Sequence, residues 1–263
     1  MGIVYGKNLG LGGDFYRYIQ NNYIYFVHIF KNTANFIATT NLDIDYLIVG
    51  GGGGTPLADS GGGGGGGVLT GSMNISKGRY GAVVGLGGTP NSSNPTFNMA
   101  NNGDNSSFNN IVALGGGPGG YYTQQPTNGA SGGGLAHSCC GLFRTLGTTG
   151  QGYGGGIGSW LYAYGGGGGA GGNGQDGTTS KAGDGGIGLM SNITGTSQYY
   201  GGGGAGGVNS YGNTVTSGAG GLGGGGNSAQ RGVDGLGGGG GGRSGYGGSG
   251  IVIIRYRLLL PTY

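Results

Sequence analysis

IDYLIVGGGGGTPLADSGGGGGGG, residues 44–67, joins two kinds of chain. Its first six residues are mostly β-branched or aromatic and read as a strand. They run into five glycines at 50–54 and, after a short insert, seven more at 61–67. A strand entering a glycine loop suggests dinucleotide binding, but that chemistry needs a helix N-terminus aimed at the pyrophosphate. TPLADS followed by seven glycines is no helix. A chain with 81 glycines also produces GxGxxG by chance. The stretch therefore reads as a strand that passes into an extended glycine segment.

Working outward, only six glycines fall in residues 1–50 and none in 251–263, which leaves 75 within 51–250. Further runs, some broken once, lie at 115–120, 165–172, 201–207, 220–226 and 237–242. Ordering glycine costs more backbone entropy than ordering any other residue. With no side chain to bury, the compensation in a folded chain has to come from backbone hydrogen bonds and close backbone packing. A collagen helix needs glycine at every third position and abundant proline; these runs are nearly continuous and the chain has six prolines. A glycine sheet would have nothing to pack, and an α-helix is disfavoured by about 1 kcal/mol per glycine. The remaining regular form is the polyproline-II helix, whose N–H and C=O groups point outward to neighbouring rods.

The ends read as β-strands: 23–30 (YIYFVHIF), 35–40, 44–49, a weaker candidate at 80–86, and 251–256 (IVIIRY). The last is expected to pair with the N-terminal strands and close the fold. No amphipathic helix is legible. The expected class is mainly β: a small β-sandwich framework, of TNF-like or jelly-roll type, enclosing a bundle of glycine-rich polyproline-II helices. The expected organisation is an N-terminal attachment segment (1–22), opening strands (23–50), the glycine body with its inserts (51–250), and a closing strand and tail (251–263), with 23–263 forming one domain.

The chemistry-bearing residues are few. Charged residues make up 7% of the chain, there is no Glu, and net charge is +3. No nucleophile, base and orienting group can be assembled, so the chain is expected not to be an enzyme. His28 and His137 beside the adjacent Cys139 and Cys140 lack the spacing of a metal site, and no cofactor or metal is expected. Strain disfavours a disulfide between sequence neighbours, so free thiols are expected. Arg231-Gly and Gly242-Arg-Ser-Gly-Tyr resemble RNA-binding fragments, but seven dispersed arginines make no nucleic-acid footprint. The N-terminus has glycine and polar residues where a signal peptide has an apolar stretch, and no run is long enough for a membrane span. Synthesis in a cytoplasm without secretion is the expectation.

The aromatic inserts stand out. Tyr121 and Tyr122, Trp160 with Tyr162 and Tyr164, Tyr199 with Tyr200, and Tyr211 all sit between glycine runs. If the runs are rods, these are their reversals. Tyr and Trp anchor binding surfaces and stack on sugars; they are equally suited to capping rod ends or packing between subunits.

VHIFKNTANFIATTNLDIDYLIVGGGGG, then GGGGGGGVLTGSMNISKGRYGAVVGLGG, then GGSGIVIIRY together resemble the glycine-rich domain of phage and large-virus tail-fibre and virion proteins. The resemblance spans about residues 27–256 and includes a VLTGS turn after the first long run. The chain is similar in design to the tail-tip adhesins of T-even-like phages and to the glycine-rich domain of anaplastic lymphoma kinase receptors. It implies a virion surface protein made in the host cytoplasm. Such a protein binds a host glycan or protein receptor, contacts other virion proteins, and assembles as a homo-oligomer, with a trimer favoured; the eight aromatic residues just named are the expected receptor contacts. A purely architectural virion component, such as a capsid cement, is the alternative. Residues 1–22 match nothing in that pattern, and attachment to a neighbour would account for their aromatic and basic mix.

Overall fold

The computed structural model describes residues 7–57, 60–90, 100–121, 125–136, 143–159, 162–209 and 215–260. Among them there are twelve strands and no helix. In chain order these are β1 (Gly10–Leu11), β2 (Asp14–Gln20), β3 (Tyr23–Phe30), β4 (Ala34–Ala38), β5 (Leu42–Val49), β6 (Val68–Ile75), β7 (Gly78–Val83), β8 (Ser106–Phe108), β9 (Ile111–Ala113), β10 (Leu189–Ser191), β11 (Gln198–Tyr200) and β12 (Ile251–Leu259). They form three antiparallel sheets, ordered β2-β3-β12-β5-β6, β1-β4-β7-β8-β9 and β10-β11.

The first two sheets pack face to face. Phe26, Phe30, Ile44, Ile48, Val252 and Ile254 of one meet Phe36, Ala82, Phe108 and Ala113 of the other. The opposite face of the first sheet is also covered: Val27, Leu47, Val49, Val68, Ile251 and Ile253 pack under Ala170, Ile193 and Tyr200. Burial on both faces is why IVII in β12 is uninterrupted by polar residues. As expected, β12 joins the N-terminal strands, inserted between β3 and β5.

Three expectations need correction. Residues 10–20 are not a segment apart, because β1 and β2 are edge strands of the two large sheets. β2 turns into β3 through Asn21-Asn22, both at positive φ (49° and 61°), the geometry of a tight type I′ hairpin that Asn tolerates. The VLTGS segment is not a turn: it opens β6, which pairs residue for residue with β5 from Leu42↔Ile75 to Val49↔Val68. Residues 51–250 accordingly hold six strands besides the glycine runs. Nor does the sandwich enclose the runs. β5, β7 and β9 lead directly into the segments that start at Gly50, Val84 and Leu114, and β6, β8 and β12 receive the segments that end at Gly67, Asn105 and Gly250. The glycine body grows from one end of the sandwich.

Inside that body the backbone bonds follow a period of three. Gly61, Gly64 and Gly67 donate to the carbonyls of Gly120, Gly117 and Leu114. Gly62 and Gly65 donate to Gly165 and Gly168, and Gly63 and Gly66 donate to Gly240 and Gly237. In return, Gly50 and Gly53 donate to Gly67 and Gly64, Gly134 to Gly62, and Gly204 to Gly63. Run 61–67 is thus fully buried among six neighbouring segments. The pattern recurs in run 165–170. There, residues 165 and 168 donate to Leu135 and Gly132, 166 and 169 to Gln175 and Gly172, and 167 and 170 to Gly204 and Gly201. A Cβ on any glycine of run 61–66 would fall within 2.0–2.2 Å of a neighbour's carbonyl oxygen, so the spacing between segments exists only because side chains are missing.

One imidazole sits deep in the sandwich. His28 is fully buried, with its ring against Phe15, Phe36 and Tyr256. The Gly12 carbonyl lies 2.8 Å from Nδ1 and fixes the proton on that nitrogen. Burial lowers the pKa of His28, and the Gly12 bond offsets this only in part.

Candidate functional site

The registers above give the glycine body two ends. Gly50, Gly67, Leu114, Gly237 and Gly250 lie at the sandwich; Gly54, Gly61, Gly120, Gly165 and Gly242 lie at the far end. At that far end the inserts are tied to one another. Ser244 N donates to Pro56 O (2.8 Å) and Ser244 Oγ to Leu57 O (3.0 Å). Arg243 N donates to Ser60 Oγ (3.0 Å), and Gly207 N to Ser60 O (3.1 Å). Ser60 also bridges Tyr121, and Ala163 bridges Val208. Asn209 N reaches Tyr162 O at 2.9 Å, and Ser159 N reaches Ala163 O at 2.7 Å.

This network brings together part of the expected aromatic set. Tyr121, Tyr162 and Tyr164 share the far end. Tyr122, Trp160 and Tyr211 lie outside the described residues, as do His137, Cys139 and Cys140. Tyr199 and Tyr200 are not there: β11 pairs with β10 as a hairpin at the sandwich end. Exposure divides the set further. Tyr162 is 38% exposed, whereas Tyr164 (2%) and Tyr200 (3%) are core residues in no position to meet a ligand. Burial, with a smaller push from Tyr16, raises the Tyr200 phenol to about 12, so it packs as a neutral ring. Leu57, Arg243 and Ser244 complete the far surface over the buried Ser60, and none of them is aromatic. Their signal was positional, since they flank the runs whose ends meet.

Charges on the flanks of the body pair locally. Arg144 contacts Asp176 (2.6 Å), Lys181 contacts Asp184 (2.7 Å) and Arg231 contacts Asp234 (2.7 Å). Burial pushes the Asp184 carboxyl up, but Lys181 and the Ala219 N–H outweigh it and hold its pKa below the usual value. No group of three or more His, Cys, Asp or Glu able to hold a metal occurs among the described residues. Within the same residues, no helix is long and apolar enough to cross a membrane.

Comparison with known families fits this architecture. Residues 31–257 match the model of a family described as "Glycine-rich domain". The chain belongs to that family. The glycine-rich domain match begins in the turn after β3 and ends within β12, so it takes in the glycine body and most of both sheets while leaving out β1, β2 and β3. No curated protein matches the chain.

Proposed function

We propose that this glycine-rich domain is a rigid display scaffold on a virion surface, of tail-fibre or adhesin type, whose far-end inserts contact a host glycan or protein receptor. The runs act as polyproline-II rods. What supports this is the three-residue period of their hydrogen bonds, which matches roughly three residues per turn of that helix. The glycines of 50–54, 61–67 and 165–169 also all lack a positive φ, consistent with a single hand. The two large sheets serve as a jelly-roll-like base, a reading favoured by β3, β4 and β5 alternating between sheets and by β12 inserting between β3 and β5. In this scheme the base joins other virion proteins and assembles as a homo-oligomer, with a trimer favoured. Residues 7–22 contribute to that contact through the exposed edge strand β2, where Phe15, Tyr16 and Ile19 are exposed.

The observation that carries the receptor reading is the far-end network, in which inserts distant in sequence are fastened side by side on a stiff support. Loops on rigid scaffolds are where recognition residues concentrate and where sequence change is tolerated. The test is binding of the isolated protein to cells of the host. Tyr162→Ala is expected to weaken binding at least tenfold without moving the melting temperature. Tyr200→Ala is expected to lower stability, because it empties a core position. Folded far-end variants that bind like the parent would remove the receptor role from this surface.

A further inference from the structure

The sandwich carries a second surface feature, independent of the far-end reading. β12 and β5 pair from Ile251↔Val49 to Arg255↔Asp45 and then part. β12 continues to Leu259 beside β3 alone, and β5 extends back to Leu42 beside β6 alone. The split opens a cleft of about 510 Å³ on the sheet, at the end away from the glycine body. That volume lies in the roughly 300–1,000 Å³ range of small-ligand sites.

The cleft is built in layers. Met73 is the accessible part of an apolar floor, backed by Ile44 and Tyr256, which are buried in the sandwich core. Tyr23 and Arg257 form one wall, with the guanidinium 4.5 Å from the Tyr23 ring centroid. The other wall is Asp43, Asp45, Ser72 and Asn74. These polar groups are held in place. Arg255 Nη2 and Nε donate to Asp45 Oδ2 at 2.7 and 3.1 Å, Ser72 Oγ donates to Asp45 Oδ1 at 2.6 Å, and Asn74 Nδ2 donates to Asp43 Oδ1. Burial alone would raise the Asp45 carboxyl, but the bonds from Ser72 and Arg255 outweigh it and lower its pKa. It stays ionised and accepting at neutral pH.

We propose that this cleft binds a neutral pyranose sugar. The two carboxylates, Asp43 and Asp45, are balanced by Arg255 and Arg257, so the site has no net charge to select an ionic ligand. Carboxylate, amide and guanidinium are planar groups that offer paired acceptors or donors, the arrangement that vicinal hydroxyls require. Half-buried Met73 and the Tyr23 ring give the C–H face of a sugar an apolar surface. All of these groups project from paired strands, so their geometry is fixed before a ligand arrives.

Saturation-transfer NMR on the full chain tests this. The probes are glucose, galactose, mannose and N-acetylglucosamine, with N-acetylneuraminic acid as the charged comparator. At least one neutral sugar is expected to show transfer. The signal should fall at least tenfold in Arg257→Ala and in Asn74→Ala, both surface positions, and should persist in the far-end variant Tyr162→Ala. Far-UV circular dichroism checks that each variant is folded, and either variant alone decides the outcome. Absence of transfer from every neutral sugar, preference for the charged sugar, or transfer that survives in the cleft variants overturns the proposal.

Discussion

The sandwich and the glycine body solve the same problem with opposite materials. In the sandwich, backbones stay apart and side chains fill the space: Phe36, Phe108, Ile44 and Ile254 are all essentially inaccessible. In the body the side chains are gone and backbones touch, with one carbonyl after another about where a Cβ would stand. The first region draws on apolar burial, worth about 25 cal/mol per Å². The second draws on backbone hydrogen bonds, each with a net value of only about 1 kcal/mol but costly to leave unmade once buried. The difference teaches that a core can be specified by absence. Cohesion in the body depends on nothing being attached at positions that ordinary cores fill.

That contrast can be broken most directly at the central run. Gly64→Val would place Cβ 2.2 Å from the Ser131 carbonyl oxygen. Separating the segments costs overpacking strain and strands buried donors, together roughly 4 kcal/mol or more. Chemical denaturation measures it, and a midpoint like the parent's would show the run giving way as a solvated loop. The counterpart in the sandwich is Leu47→Ala at a fully buried position. A cavity there should cost about 3 kcal/mol, appreciably less than adding three carbons to the glycine core.

Acid should separate two groups within the sandwich. The folded pKa of His28 lies below its ordinary value, so the unfolded chain binds the proton first. Its contribution is fully present above about pH 6.5 and is lost as pH falls from there through the folded pKa. The Asp45 contribution, whose folded pKa is also lowered, is lost only further down, as pH falls below about 4. Melting temperatures from pH 7.5 to 5 should decline in the parent and less steeply in His28→Phe; parallel profiles would place the upper step elsewhere. The smallest expected effect is Gly81→Ala in β7, where a Cβ would meet nothing within 4 Å. Alanine loses less chain entropy than glycine on folding, so this change should gain about 0.5–1 kcal/mol by the same denaturation assay. Together with Gly64→Val it asks whether neighbouring carbonyls, rather than glycine as such, set the requirement.

How much of this was legible follows from where the signals were local. Residues 23–30 read as a strand and are β3; the readings 44–49 and 251–256 fall short of β5 and β12 by only two or three residues, because dense β-branched and aromatic runs admit little else. β8 and β9 are three residues each, too short to show a period, although Asn109-Asn110, with φ of 46° and 67°, marks their hairpin as Asn21-Asn22 marks the other. β6 escaped because VLTGSMNI is a mixed edge strand whose partner lies across the 61–67 run. At the far end, the sequence identified aromatic residues but not their depth. Nothing in SWLYAY says that Tyr162 faces outward while Tyr164 is buried, since that depends on a distant run, to which residues 163 and 164 are tied by their backbones at Val208 and Gly207. The cleft in the first sheet was invisible for a related reason: it exists where two strands stop pairing, and pairing is not written in either strand alone.

The three-residue period of the runs also constrains how such a gene can change. One added glycine shifts every later residue of its run by one step of the three-residue bonding pattern. Each downstream N–H then points at the wrong neighbour, although the protein's composition has hardly altered. Glycine tracts are encoded by repetitive codons, where copying errors add or remove whole triplets. Within a run, one or two extra codons should be purged, and three at a time retained when the insert at the far end absorbs the added turn. The inserts carry no such arithmetic and can change length freely. Descendants of this chain should therefore differ in their glycine-tract lengths by threes and in their inserts by any number.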